Sequence, residues 1–397
     1  MKNSLPLSEL SSLLTLLLVL SHVVTTVQSF PTTAVAGNLV TLPIAKRFNL
    51  TGSTKILQHD QARARNLRAR GTSQGTQTSP SPSPEVSSIT AQNQLMRYVA
   101  KVRIGAVPGV TTYELIVDTG SSNTWVGAGT PYVPTISVEY GGGRSMSASE
   151  AVGFEGVDGV LGSDGPIDLT LGTLTPDSTT ATVPTVTHDL FATGFIGFEM
   201  VAISFEPTVG VDDVSGELTF GGVDTSKFIG DINVAPFTTT SPSSLYFGID
   251  QAVRYGSSTS LLDNGPGIFD TATTLLLIAT DALNTYVDAV GAVFDDTTEL
   301  YRITPEQYAT LQSMYFTIND VVYEFTANAQ IWPRNLNTLI GGSPDFVYLI
   351  VGDIGTHSGS GMDIVYGMVF MERFYTAFHT NDGVVIANTP NTQATTN

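Results

Sequence analysis

Cysteine is absent from this sequence of 397 residues. Disulfide bridges, thiol nucleophiles and thiolate metal sites are therefore excluded. The sequence also lacks a Gly-x-Ser-x-Gly elbow, a His-Glu-x-x-His motif, a P-loop and a dinucleotide-binding fingerprint. Five histidines are present, at no metal-ligand spacing: His22, His59, His188, His357 and His379. We therefore predict a protein that uses neither a metal ion nor a cofactor.

Basic residues are scarce, and they are unevenly placed. The chain has 17 Lys and Arg against 36 Asp and Glu, a net charge of −19, which argues against nucleic acid or an anionic membrane surface as a partner. Between Phe30 and Glu85 there are seven basic residues, and Asp60 is the only acid before Glu85. From residue 89 onward there are nine basic and 33 acidic residues.

This charge distribution predicts a removable basic pro-segment over residues 30–88. Electrostatic attraction would hold it on the acidic body, and protonation of the carboxylates in acid would release it. Residues 55–70 are predicted to be helical, and the Gly-, Ser- and Pro-rich stretch 71–84 to be a flexible linker. The alternative is a disordered basic N-terminal region. The seven basic residues are Lys46, Arg47, Lys55, Arg63, Arg65, Arg68 and Arg70.

Long hydrophobic runs are missing except near the N-terminus. Lys2 precedes an apolar stretch over residues 13–24, and small residues follow up to Ser29, which is the profile of a secretory signal peptide over residues 1–29. The stretch is too short for a confident membrane span, so a membrane anchor is the less favoured alternative. The tail over residues 391–397 is polar and does not predict a lipid anchor. We expect a secreted, extracellular monomer.

The body of the chain is predicted to be all-β. Short runs rich in Val, Ile, Thr, Phe and Tyr alternate with turn residues, for example over 98–104, 216–220, 315–318 and 321–325. Few helices are predicted in the body, over 187–193, 280–290 and 305–314.

Two similar turns carry the chemistry. Asp118-Thr-Gly-Ser follows an apolar run, and Asp270-Thr-Ala-Thr follows another run 152 residues later. A carboxyl group at the end of an apolar strand is costly unless it is hydrogen-bonded, and a turn of Thr, Gly and Ser offers N–H and hydroxyl donors. Two such turns placed face to face would make a pair of carboxyl groups that share one proton.

These motifs and their flanks resemble the pepsin-like aspartic endopeptidases, in particular the secreted basidiomycete, polyporopepsin-type enzymes. The resemblance runs from about Gln92 to Ala387. It rests on the segments 117–126, 156–162, 202–207, 254–260, 327–337 and 348–353. It implies an all-β bilobal fold, with two β-barrel-like lobes over 89–224 and 225–390, a cleft between them and few short helices.

The resemblance also assigns residues to the cleft. It implies that Asp118 and Asp270 are catalytic and that the apolar segments ending at Gly162 and Gly352 pack behind them. The residues expected to support the carboxylates are Thr119, Gly120, Ser121, Thr271, Ala272 and Thr273. The residues expected in the flap over the substrate, or against it, are Tyr140, Gly141, Gly142 and Trp125.

The implied activity is hydrolysis of peptide bonds at acid pH by a water molecule activated between the two aspartates. Protein or peptide substrates would bind as an added strand, with bulky apolar residues preferred at the scissile bond. The resemblance further implies inhibition by pepstatin-type compounds.

Two departures from the family pattern bear on activity. The second turn has Ala272 where the family has glycine, which matters if the backbone there needs a positive φ or a close approach. The lobes also differ in length, because Asp118 to Gly162 spans 44 residues and Asp270 to Gly352 spans 82. A second hypothesis is therefore a pepsin-fold homologue with weak or no catalysis, acting as a peptide-binding protein or arising from a defective gene product. A carbohydrate-binding or structural β-protein is a distant third.

Overall fold

The structure, a computed structural model of the chain, describes part of the sequence in nine ranges. They are residues 39–48, 55–73, 96–104, 111–120, 125–126, 159–162, 185–192, 194–207 and 214–397. All of them belong to one compact unit that spans Val35–Asn397. The predicted signal peptide and the predicted flap lie outside these ranges. Within them, no helix is long and apolar enough to span a membrane.

Twenty strands are assigned within the described ranges. They are β1 (Val40–Phe48), β2 (Met96–Ile104), β3 (Thr111–Asp118), β4 (Trp125–Val126), β5 (Gly159–Gly162), β6 (Met200–Phe205), β7 (Val214–Phe220), β8 (Ile229–Ala235), β9 (Gly248–Tyr255), β10 (Thr259–Phe269), β11 (Leu276–Ile278), β12 (Val293–Asp295), β13 (Leu300–Ile303), β14 (Met314–Ile318), β15 (Val321–Phe325), β16 (Val347–Tyr348), β17 (Val351–Asp353), β18 (Ile364–Tyr366), β19 (Phe374–His379) and β20 (Gly383–Asn388). The predicted all-β body is confirmed.

The helices are fewer and mostly short. They are α1 (Ile56–Ser73), α2 (Val186–Ala192), α3 (Thr280–Val290), α4 (Pro305–Tyr308) and α5 (Met368–Met371). Helix α1 confirms the helix predicted over residues 55–70, and it extends into residues 71–73 of the predicted linker. The predicted helix over 305–314 was too long. A capping box between Thr304 and Gln307 starts α4, but from Met314 the alternation of buried and half-buried side chains suits strand β14.

The largest sheet includes the basic segment. Its strand order is β4-β5-β3-β2-β1-β7-β6-β19-β20-β8, so β1 lies between two strands of the body. Strand β1 is antiparallel to both neighbours, and Ile44 pairs with Ala100 on β2 and with Gly216 on β7. The described part of the basic segment is thus a strand and a helix packed on the body, which contradicts a disordered region there.

A second sheet carries the other aspartate turn. Its order is β15-β14-β9-β10-β18-β11-β17, and β10 ends at Phe269, directly before Asp270. A separate small sheet has the order β12-β13-β16. In each large sheet the strand that leads to an aspartate pairs in parallel with a later strand. Val117 pairs with Leu161, and Ile268 pairs with Val365.

This pairing corrects one prediction. The apolar segment behind Asp270 is β18 followed by Gly367, and not the segment ending at Gly352, whose strand β17 pairs with β11 instead. Gly367 is needed because a Cβ there would lie 2.2 Å from the carbonyl oxygen of Leu275. The comparable spans are therefore 44 residues, from 118 to 162, and 97 residues, from 270 to 367. The difference in length is larger than the sequence alone indicated.

Candidate active site

The two aspartates meet at the ends of β3 and β10. Both side chains are fully buried. Nη2 of Arg63 lies 2.6 Å from Oδ1 of Asp118 and 2.8 Å from Oδ1 of Asp270. Nε of Arg63 donates to Oδ2 of Asp270 at 2.5 Å. A single nitrogen thus lies within hydrogen-bonding distance of both carboxylates, so the structure brings together the two residues that the sequence singled out.

The two turns are held to each other by their threonines. The backbone N–H of Thr119 donates to Oγ1 of Thr271 at 2.9 Å, and the N–H of Thr271 donates to Oγ1 of Thr119 at 3.0 Å. Each hydroxyl in turn donates across the interface, from Thr271 to the carbonyl of Val117 at 2.9 Å and from Thr119 to the carbonyl of Phe269 at 3.2 Å. Because all these groups are buried, the network stabilises one relative placement of the turns.

Each carboxylate also accepts hydrogen bonds from its own turn. The N–H of Gly120 donates to Oδ1 of Asp118 at 2.9 Å, and the hydroxyl of Thr273 donates to Oδ2 of Asp270 at 2.5 Å. Ser121, predicted to correspond to Thr273, lies outside the described residues.

Opposing effects determine the pKa of Asp270. Burial raises it. The charge and hydrogen bonds of Arg63, together with the hydroxyl of Thr273 and the backbone N–H of Ala272, outweigh burial and hold the pKa below its ordinary value of 3.8. In this arrangement Asp270 is therefore stabilised as a carboxylate.

The third residue of the first turn is Gly120, and the third residue of the second turn is Ala272. The two positions differ in how much space they leave for a side chain. A Cβ at Gly120 would lie 2.5 Å from Oδ1 of Asp270, so glycine is required there because of a close approach. Ala272 is fully buried and is not among the described residues with positive φ. An ordinary backbone conformation therefore accommodates the alanine.

Arg63 was not singled out from the sequence among the seven basic residues of the segment. It lies on the buried face of α1 with Ile56, Ala64 and Leu67, and its side chain is 6% exposed. Charged residues that interrupt an apolar helical face are the signal that could have identified it.

Asp60 is a second buried charge on the same face. Its Oδ2 accepts the N–H groups of Thr274 at 3.0 Å and Leu275 at 2.8 Å, directly after the second turn. His59 beside it has Nδ1 3.4 Å from Oδ1 of Asp60 and 3.3 Å from Nη2 of Arg97. Burial lowers the pKa of His59, and the opposing effect of Asp60 does not restore it to 6.5.

Of the four residues predicted in the flap or against it, Trp125 alone lies within the described ranges. Tyr140, Gly141 and Gly142 lie outside the described residues. Trp125 begins β4, where its backbone pairs with Val160 on β5, beside the strand that leads to Asp118. Among the described residues, no group of three or more His, Asp or Glu side chains could hold a metal ion.

Comparison with known proteins identifies the family. A sequence model of the family described as eukaryotic aspartyl protease matches residues 135–389. The chain belongs to this family. The matched range contains Asp270 and begins after Asp118. As a eukaryotic aspartyl protease, the chain is an aspartic endopeptidase that acts on peptide substrates.

Three similar proteins add detail to this membership. Polyporopepsin of Irpex lacteus is 50% identical over 341 residues, covering 78% of this chain and 99% of polyporopepsin. The crystal structure of an aspartic proteinase from Irpex lacteus matches with a TM-score of 0.68 at 48% identity, covering 76% of this chain and 96% of that one. The acid extracellular protease of Yarrowia lipolytica is 24% identical over 240 residues, covering 50% of this chain and 58% of that protein. The predicted pepsin-like fold is thereby confirmed.

Proposed function

We propose that the chain is the latent form of a secreted, acid-active aspartic endopeptidase with Asp118 and Asp270 as its catalytic residues. The observation that carries the proposal is the position of Nη2 of Arg63, within hydrogen-bonding distance of both carboxylates. A polar atom at that point can contact both groups, so a water molecule can replace it once the pro-segment has left.

The chemistry follows from that position. Two carboxyl groups this close do not both ionise easily, so one keeps a proton over the acidic range. The ionised carboxylate takes a proton from the shared water as its oxygen attacks the carbonyl carbon of the peptide bond. The protonated carboxyl donates to the carbonyl oxygen, so a tetrahedral diol forms without a covalent bond to the enzyme. Its collapse breaks the C–N bond as a proton passes to the leaving amine.

The turns are suited to hold the carboxylates during these steps. The donors from Gly120 and Thr273 orient one oxygen of each carboxylate, and the reciprocal bonds between Thr119 and Thr271 resist movement of one turn against the other. Such preorganised donors stabilise charge without rearranging during the reaction.

Latency rests on the segment over residues 39–73. Strand β1 contributes to the largest sheet, and α1 carries Arg63 to the aspartates. A substrate cannot reach the carboxylates while the guanidinium lies on them. Because the pKa of Asp270 is lowered in this state, the stabilisation is present above pH 3.8 and is lost as pH falls through the lower value. Acid therefore releases the segment.

Substrate preference, export and assembly belong to the same proposal. We expect peptides to bind as an extended strand, with bulky apolar residues at the scissile bond and inhibition by pepstatin-type compounds. The apolar N-terminal stretch favours secretion, and so does the similarity to the acid extracellular protease of Yarrowia lipolytica. We expect a monomer without a membrane anchor.

The direct test is activation of the purified chain in acid. We expect cleavage of denatured haemoglobin or casein, blocked by pepstatin, after incubation at acid pH and not before it. Asp118→Asn and Asp270→Asn should each abolish cleavage while the far-ultraviolet circular dichroism spectrum stays unchanged. Absence of pepstatin-sensitive cleavage from acid-treated wild-type protein would refute the proposal.

A second candidate is a pepsin-fold homologue with weak or no catalysis. The short span between Asp118 and Gly162 favours it. The alignment with polyporopepsin is 341 residues long, but it covers only 78% of the 397 residues of this chain. It therefore includes positions where polyporopepsin has residues that this chain lacks. Ala272 does not favour it, since an ordinary φ suffices there. If wild-type protein is inactive, Ala272→Gly distinguishes the two causes. Recovered activity means that the second turn caused the loss, and continued inactivity means that the short span between Asp118 and Gly162 caused it.

A further inference from the structure

Glu299 has an unusual backbone conformation outside the aspartate turns. It lies in the turn between β12 and β13, has φ of 58°, and is 9% exposed. A non-glycine residue in the left-handed region is uncommon, and such residues cluster at sites where a side chain has to be aimed. A buried carboxylate is costly unless it is paired and hydrogen-bonded.

Within the described part of the chain, two side chains donate to Glu299, and both come from the pro-segment. Oε1 accepts hydrogen bonds from Nζ of Lys55 and from Nε2 of Gln58, the latter at 2.6 Å. Oε2 is buried and has no hydrogen-bond partner among the residues that the structure describes. The carboxylate thus retains an unused acceptor in the docked state, and it loses both of these donors when the segment leaves.

The space around Glu299 is suited to a long side chain. A cavity of about 330 Å³ lies between the body and α1, lined from the body by Phe294, Asp296, Glu299, Tyr301 and Asp353. The rings of Phe294 and Tyr301 are 5.4 Å apart in an edge-to-face arrangement. Aromatic rings beside a carboxylate suit a side chain with a methylene stem and a cationic tip, since the stem packs on the rings while the tip pairs with the charge.

We propose that this cavity is a substrate subsite for a lysine or arginine side chain, with Glu299 as the specificity-determining residue. The inference rests on the proposed function, because it treats the docked pro-segment as occupying a part of the cleft that substrate later fills. In the latent form Lys55, whose side chain is 47% exposed and is not part of the cavity lining, pairs with Glu299. A basic substrate residue takes over this pairing in the active enzyme. This preference is separate from the apolar preference expected at the scissile bond.

The pro-segment also indicates how far the subsite lies from the reaction centre. Lys55 precedes Arg63 by eight residues, and a helix rises about 1.5 Å per residue, so their backbones are roughly 12 Å apart. An extended peptide covers that distance in about four residues. The preferred basic residue should therefore lie three or four positions from the scissile bond.

The test uses the acid-activated enzyme and matched peptides. Each peptide keeps one apolar pair at the scissile bond and carries Lys, Arg, norleucine or acetyl-lysine at the third or fourth position on either side. At about pH 5, where carboxylates are ordinarily ionised, we expect kcat/KM for the Lys and Arg peptides to exceed that for norleucine by roughly tenfold at one position. Acetyl-lysine should behave like norleucine.

Variants assign the preference to Glu299. Glu299→Gln should bring the ratio of Lys to norleucine close to one, through a fall in kcat/KM for the Lys peptide. Asp320→Asn removes one negative charge from an exposed turn outside the cavity and should leave the ratio as in the wild type. Activity on the norleucine peptide shows that the variant is folded. The comparison of Lys with acetyl-lysine on wild-type enzyme tests the role of the substrate charge without any variant.

Two outcomes would overturn the inference, and they are distinguishable. Cleavage of the norleucine peptide without preference for Lys at any position, or the same preference in Glu299→Gln, refutes the subsite and leaves the protease standing. Failure to cleave any peptide refutes the proposed function, and the subsite with it.

Discussion

Replacement of Arg63 by methionine tests the latent state most directly. Arg63 is 6% exposed and contacts two fully buried carboxylates through Nε and Nη2. Methionine has a similar length but no charge, so the docked helix would leave both carboxylates without their shared guanidinium. Breaking a buried ion pair by removing one partner costs about 3–5 kcal/mol.

That free energy converts into a large change in latency. At about 1.4 kcal/mol per factor of ten, the docked state should weaken by roughly a hundredfold to several thousandfold relative to the released state. The effect should be greatest well above pH 3.8, where the lowered pKa of Asp270 stabilises the wild-type docked state. In stronger acid the carboxylates protonate, and variant and wild type should converge.

The assay is the initial rate of cleavage of a fluorogenic peptide by purified protein that has not been acid-treated, measured from pH 4 to pH 6. We expect Arg63→Met to cleave the peptide across this range, where the wild type is latent. Arg65→Met is the matched control, because it makes the same change at an exposed position on the same helix. Arg63→Lys keeps the positive charge but lacks the forked N–H donors of a guanidinium, so its cleavage rate should lie between those of Arg63→Met and the wild type. If Arg63→Met is as latent as Arg65→Met, the reasoning is wrong.

Three further predictions concern the groups around the aspartates. The pKa of His59 is lowered from 6.5 in the docked state, so protonation of His59 favours release of the segment as pH falls below 6.5. His59→Gln should therefore move the midpoint of acid activation to lower pH, and an unchanged midpoint would count against this role. Gly120→Ala places a Cβ 2.5 Å from Oδ1 of Asp270, so the carboxylate has to move. A displacement of about 1 Å should lower kcat on the order of a hundredfold, and near-normal kcat would contradict the geometry. Thr271→Val leaves the buried N–H of Thr119 unsatisfied at a cost of about 1–3 kcal/mol, which should lower Tm measurably, while Thr285→Val on the exposed face of α3 should not.

Helix α1 shows which features of the protein local sequence patterns could predict and which they could not. The basic segment and its helix could be predicted from charge and composition alone. Which of seven basic residues lies on the aspartates could not, because that depends on the face that α1 buries against the body. The same holds for Asp60, whose partners Thr274 and Leu275 are more than 200 residues away.

The segments behind the aspartates show the same division. Both Asp-Thr turns could be recognised because an apolar strand, a carboxyl group and small hydroxyl residues lie within a few positions of one another. The strand that packs behind Asp270 was predicted wrongly, because two segments read as apolar residues followed by glycine, and only parallel pairing with β10 selects the one that ends at Gly367. Likewise, the sequence left open whether Ala272 disturbs its turn, and only the backbone conformation shows that no positive φ is needed there.

What the sequence by itself determined was the chemistry available: two carboxyl turns, a basic segment ahead of an acidic body, and strands of alternating pattern. Only the tertiary structure decided which groups meet, namely Arg63 with both aspartates and Lys55 with Glu299. The physical reason is distance along the chain. Turn and strand preferences depend on neighbours a few residues away, whereas these contacts join positions from 55 to 244 residues apart, which only the register of the sheets and the packing of α1 can specify.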